Sequence, residues 1–216
     1  MIPLQFALRR KMMIARGGGA SISDLPLGTL INVGTDGGEG APNYEIADIN
    51  NLVPGGVVLV RKNIYSDSAF GSPTYPGGTL DNLIKTTIYN KMPQQLRDKM
   101  MDVTFNLYNS GNITRKMFAL TYTMAGFGNN SEVAEGKALQ LYTSDTSRIK
   151  TFNGSAASWW LSSQYSPKYV CIVYTNGSAY YSRPTNSDGV VPAFVIPSET
   201  PYNATPNPDG SYNLIL

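Results

Sequence analysis

Between Ser158 and Ile196 the chain carries three short runs that leave little choice of secondary structure. They read Ser158-Trp159-Trp160-Leu161-Ser162-Ser163, then Tyr169-Val170-Cys171-Ile172-Val173-Tyr174, then Val190-Val191-Pro192-Ala193-Phe194-Val195-Ile196. Each is β-branched or aromatic and bounded by Gly, Asn, Ser or Pro, the pattern of strands. Successive side chains on a strand point to opposite faces. One of the paired indoles is therefore expected in the core and the other in a groove, and Trp160 is a candidate for stacking on a ligand.

The segment 178–187, between the second and third runs, reads as a long exposed loop. Its Tyr, Ser and Asn content is that of contact loops, in which tyrosine gives large stiff contacts and short polar residues adapt. Tyr180, Tyr181, Arg183 and Asn186 are its candidate binding residues, with Arg183 of a type common at interaction hot spots. An ordinary hairpin loop is the plainer alternative.

The rest of the chain reads as short elements. Strands are expected over 28–34, 44–49, 57–60, 103–108 and 116–124. A helix is expected over 79–89, with Leu80, Leu83, Ile84 and Ile88 on one face. Pro93 opens a second helix to residue 99 in the favoured first-turn position, and a helical piece is expected near 132–142. With 21 Gly and 14 Pro in 216 residues, turns outnumber long elements. The expected class is α+β: a twisted antiparallel sheet with one or two short helices, an N-terminal arm and an extended C-terminal tail.

Three segments follow: an anchoring arm and Gly-rich linker over 1–26, a body over 27–197, and a Pro-rich tail over 198–216. In the arm, Phe6, Leu8, Arg9, Arg10 and Lys11 form an apolar and basic anchor. Its four cations, Arg9, Arg10, Lys11 and Arg16, all precede the first acid, Asp24. The tail ends in an apolar strand-like run, read either as docked on its own body or as touching a neighbouring subunit.

Composition narrows the chemistry. The absence of histidine removes Ser-His-Asp and Cys-His mechanisms and imidazole-based metal sites. The lone Cys171 lies inside an apolar run and reads as a buried thiol. The Gly-rich acidic loop 35–40 lacks the spacing of a phosphate-binding loop or an EF-hand. No cofactor or metal is expected, no nucleic-acid partner at a net charge of +2, and no membrane insertion. Charged residues are only 15% of the chain, which suits a surface partly covered in a homo-oligomer.

The Trp159-Trp160-Leu161-Ser162-Ser163 run, Val173-Tyr174-Thr175-Asn176-Gly177 and the 190–196 run together resemble an uncharacterised domain of bacteria and their phages. Its C-terminal half reads W-W-L-R-S, V-x-x-x-G and V-R-P-A-F-V-I. Residues 28–34 and 44–49 are similar to its opening strands, 57–62 to its L-L-x-K/R strand, 80–90 to its helix and 118–121 to its F-L-L-S strand. Ser162 and Val191 replace two arginines of that pattern. The resemblance implies a C-type-lectin-like or formylglycine-generating-enzyme-like fold, a scaffold that displays an irregular surface. Residues 1–10 also look like the start of small phage tail-associated proteins.

The expectation that follows is a non-enzymatic virion protein, assembled in the host cytoplasm. It would be a tail, baseplate or fibre component held to other virion proteins by its arm, with a receptor-binding body facing host-surface polysaccharide or protein. A capsid decoration or structural connector without a receptor role is the alternative. A bacterial carbohydrate-binding or carbohydrate-modifying protein is the third reading.

Overall fold

The computed structural model describes residues 20–216. The anchor residues Phe6, Leu8, Arg9, Arg10 and Lys11 lie outside the described residues. The strands, in chain order, are β1 (Leu30–Asn32), β2 (Asn43–Ile49), β3 (Gly56–Arg61), β4 (Asp67–Ala69), β5 (Val103–Leu107), β6 (Gly111–Arg115), β7 (Met117–Ala119), β8 (Lys150–Phe152), β9 (Ser155–Ala157), β10 (Trp159–Ser166), β11 (Tyr169–Val173), β12 (Ala179–Ser182), β13 (Ser187–Gly189), β14 (Pro192–Pro197) and β15 (Tyr212–Asn213). The main helical rod, α1, runs without a break through Thr79–Asn82, the π-helical Leu83–Ile88 and Tyr89–Lys91. Helices α2 (Gln94–Lys99) and α3 (Asp145–Arg148) are short.

The fold is α+β, with two main sheets rather than one. The first has the order β15-β1-β2-β3-β14-β7 and the second β12-β11-β10-β13-β4, while β5-β6 and β8-β9 are separate hairpins. Neither main sheet is wholly antiparallel: β1 pairs with β15 in parallel, and so does β10 with β13. Strands β3 and β14 are buried along nearly their whole length, which is why their sequences run apolar instead of alternating. The chain passes from the second sheet to the first through Val190 and Val191, both buried, so the two sheets share one core.

Both tryptophans are fully buried, which corrects the expectation that Trp160 lines a groove. The reason is a second wall. The Trp160 ring packs edge-on against Phe70 at 5.3 Å, and its indole N–H donates to the Ser68 carbonyl of β4 at 2.8 Å. Trp159 turns the other way and donates to the Arg148 carbonyl of α3 at 3.0 Å.

In α1, the buried residues Leu80, Ile84 and Ile88 fall four apart. A π-helical turn is wider than an α turn, and the Tyr89 N–H reaches the Ile84 carbonyl five residues back. Met92 and Leu96 continue the same four-residue spacing below the rod. Pro93 is the N-cap of α2 with extended ψ, not its first helical residue. No helix forms over 132–142. Ser131 and Glu132 both have φ in the left-handed region, at 47° and 69°, and this breaks the start of any right-handed helix there. Strand β7 likewise stops at Ala119, well short of residue 124.

Buried cations tie the layers together. Arg61, fully buried, donates to Asp36 at 2.6 Å and to the Asn63, Ile64 and Glu39 carbonyls, which folds the Gly-rich 35–40 loop inward. Lys150 pairs with Glu45 inside the core, where Tyr142 also donates to that carboxylate at 2.9 Å. Burial opposes ionisation of Glu45, but the Lys150 and Lys62 charges and these hydrogen bonds outweigh it and hold the carboxyl below its ordinary range. The C-terminal run docks on its own body as β15, leaving Ile215 and Leu216 exposed.

Gly177 closes the β11–β12 connection with φ of 87°, and a Cβ there would stand 1.9 Å from the Asp145 carbonyl oxygen. Gly177→Ala should therefore cost about 2–4 kcal/mol, from backbone strain plus a clash with α3 that no side-chain rotation relieves. Urea unfolding of the variant checks this, and a loss below about 1 kcal/mol would mean the connection is slack.

Candidate functional site

The exposed end of the five-stranded sheet is built from β10, β11 and β12. Of the segment expected to be a loop, Ala179–Ser182 is in fact an edge strand, with Val170, Cys171, Ile172 and Val173 opposite Ser182, Tyr181, Tyr180 and Ala179. Only 183–186 is a turn, closed by the Asn186 N–H on the Arg183 carbonyl at 2.9 Å. Pro184 stops the strand by removing a donor.

Five tyrosines converge on this edge. Tyr165 and Tyr181 stack with centroids 4.7 Å apart and planes 3° from parallel. Tyr180 stacks on Tyr181 at 4.8 Å and 7°. Tyr174 tilts onto Tyr180 at 5.6 Å, and Tyr169 meets Tyr181 edge-on at 5.1 Å. Tyr180 and Tyr181 are successive strand residues, so their rings leave opposite faces. Their rings nonetheless stack, at the end of the sheet where Tyr181 also meets Tyr165 of β10.

Two clefts share the Tyr180 and Tyr181 rings. One, of about 320 Å³, is lined by Tyr122, Asn129, Asn130 and Ser131 facing Tyr165, Tyr180 and Tyr181. The other, of about 380 Å³, holds Arg183, Asn186 and Asp188 beside Tyr169, Tyr174, Tyr180 and Tyr181. Tyr180, Tyr181, Arg183 and Asn186, the candidate residues of the segment 178–187, thus line one cleft, and Trp160 lies apart from them in the core. Asn186 also donates its side-chain amide to Ser182 Oγ at 3.0 Å, so it holds the turn as well as facing the cleft.

Tyr165, Tyr169 and Tyr174 were not singled out by sequence reasoning. The available signal was density: five of the fourteen tyrosines fall between 165 and 181. Alternation hides Tyr165 by placing it on the buried face with Leu161 and Ser163. Register shifts between Trp160, Gln164 and Ser166 turn it outward, to 53% exposure.

The first cleft rests on a buried carboxyl. Glu135, fully inaccessible, accepts hydrogen bonds from Ser163 Oγ, from the Tyr108 N–H at 2.8 Å and from the Asn130 amide at 3.2 Å. Asn130 lines the cleft, and Ser163 in turn accepts the Tyr122 N–H at 2.7 Å. Burial pushes the Glu135 carboxyl above its ordinary range, against these hydrogen bonds, and no cation pairs with it among the described residues. Burial first, and the Glu135 charge second, push the Cys171 thiol up to about 12. A thiol so placed is no nucleophile at neutral pH.

Among the described residues no set of carboxylates and thiols comes together that could hold a metal ion, and no helix is long and apolar enough to cross a membrane. What the site offers is a surface: stacked phenols, two clefts and a few polar ends. The α+β fold with this rim belongs to a family described as a domain of unknown function (DUF6273), whose model matches residues 54–198. No curated protein and no solved structure matches the chain.

Because the folded pKa of Glu135 is raised, its contribution to stability is full below the ordinary carboxylate range and is lost as pH rises through the folded value. Glu135→Gln keeps an acceptor for Tyr108 and Asn130 and removes the titration. The variant should match the native chain at about pH 4 and be more stable than it at about pH 8, as read by urea unfolding at both values.

Proposed function

We propose that this chain is a non-catalytic surface-binding module of a phage virion, a tail, baseplate or fibre component that presents the tyrosine rim to host-surface polymer or protein. The observation that carries the reading is where the exposed aromatic surface lies. Seven large apolar side chains are exposed among the described residues, and four of them, Tyr165, Tyr174, Tyr180 and Tyr181, belong to this rim. Scattered apolar residues are ordinary on a protein surface, whereas a contiguous patch marks an interaction site. Tyrosine suits such a site because a stiff ring with a polar tip buries area at low entropic cost.

The virion setting and the C-type-lectin-like assignment rest on the Trp-Trp-Leu and Pro-Ala-Phe-Val-Ile motifs. The basic arm supplies a means of attachment to a particle. Repeated copies in a homo-oligomer would turn weak single sites into firm adhesion.

Replacing Tyr180 and Tyr181 together by Ala should lower adsorption to host envelopes by at least about tenfold per site, as loss of a central aromatic pair does at other interfaces. Co-sedimentation with envelopes measures adsorption, and thermal unfolding shows whether the fold is kept. Unchanged adsorption with lost particle incorporation would favour the connector role instead.

A further inference from the structure

Beside the tyrosine rim lies a third cleft, of about 420 Å³, and its chemistry differs from that of the other two. Its charged lining residues are Lys168 and Arg183, with Tyr169 and the rings of Pro73, Pro167 and Pro184 around them and no carboxylate on its wall. Both cations are exposed, and neither has an ion pair among the described residues. We propose that the ligand of the rim is an acidic glycan, whose carboxylate or phosphate seats between Lys168 and Arg183 while its sugar backbone runs over Tyr169 and Tyr181. This rests on the surface-binding reading of the same rim.

Three observations point to an anion at this end. The first is preorganisation. Lys168 follows Pro167 and Arg183 precedes Pro184, so a proline restricts the chain beside each cation. The turn that carries Arg183 is fixed further by the Gly71 N–H on the Pro184 carbonyl at 3.0 Å.

The second is contrast with the rest of the body. Beyond Arg16, thirteen cations face fifteen acids, so the body is net acidic and has no general attraction for polyanions. Two cations in one concave, acid-free cleft are a local exception. An exposed guanidinium is suited to a bidentate grip on carboxylate or phosphate, and an ammonium adds a point charge.

The third is direction. The adjoining cleft shares Tyr169 and Arg183 with this one and also contains Asp188, held by the Ser158 hydroxyl at 2.5 Å. Asp67, on the neighbouring strand β4, lies near enough for the Asp188 charge, after burial, to raise its carboxyl above the ordinary range. A charged polymer laid along the rim would therefore meet a carboxylate only beyond Arg183, and the side of that guanidinium toward Lys168 is the more attractive to an anion. Tyr169, edge-on to Tyr181, joins the cationic cleft to the ring stack.

The test uses the full chain immobilised at low salt, with polygalacturonate as the carboxylate probe, polyglycerol phosphate as the phosphate probe and dextran as the neutral control. At least one acidic polymer should bind at least about tenfold more tightly than dextran, and more weakly as salt rises. Which of the two binds tells carboxylate from phosphate. Lys168→Ala with Arg183→Ala should remove the preference and the salt dependence without changing thermal unfolding, and Arg183→Lys should restore part of both. Equal binding of dextran, or unchanged affinity in the double variant, would overturn the anion while leaving the rim reading intact if the Tyr180→Ala, Tyr181→Ala chain still loses adsorption. If no polymer binds yet that variant loses adsorption to envelopes, the ligand is a protein and the glycan is wrong. If the tyrosine variant adsorbs normally, the rim reading itself falls and this proposal with it.

Discussion

A strand buried on both faces has no water to satisfy its polar atoms, and β10 is such a strand from Trp159 to Gln164. Each donor it carries must find a protein acceptor, because a buried unsatisfied group costs about 1–3 kcal/mol. The two indole N–H groups reach Arg148 on one side and Ser68 on the other. The Ser162 N–H and hydroxyl both go to the Leu120 carbonyl, and the Ser163 hydroxyl goes to Glu135. Six buried residues thus dictate where α3, β4 and the irregular segment after β7 must lie. The rim at the far end of the same strand inherits its rigidity from them.

Much of this fold was legible because burial leaves a compositional trace. The apolar runs over 57–60 and 190–196 became β3 and β14, and the helical face over 80–88 became α1. What escaped depended on partners distant in sequence. The helix expected over 132–142 failed on two residues held with positive φ, and no propensity reports that. The second sheet was invisible because its closing strands, β4 and β13, are three residues each and consist of Asp, Ser, Ala and Gly. Ser162 and Val191 stand where the similar domain has arginines, and cations that tie this core together sit elsewhere. That role falls to Arg61, Arg148 and Lys150, whose acceptors lie as far as 105 residues away and could not be guessed from spacing.

The site was half legible for a related reason. Tyr180, Tyr181, Arg183 and Asn186 stood out by composition, and they do share a cleft. Trp160 was misplaced because alternation says only that two neighbours face opposite ways. It does not say that both faces are covered. Tyr165 was missed for the converse reason, since bulges in β10 reverse the face that counting assigns to it. Lys168 carried no signal at all: it became interesting only once Arg183 was found across the same cleft.

The shortness of β12 also bears on how copies of this chain can meet. An outer strand ordinarily offers a row of unpaired amides on which a second molecule can template. Here that border is only four residues long, Ala179–Ser182, with Pro184 just beyond it, and a short strand and a nearby proline both make an outer strand a poor template. Growth of the sheet from one molecule into the next is therefore disfavoured on this side. Copies of such a chain, if crowded together, could each present the aromatic rim without their sheets running on into a fibre.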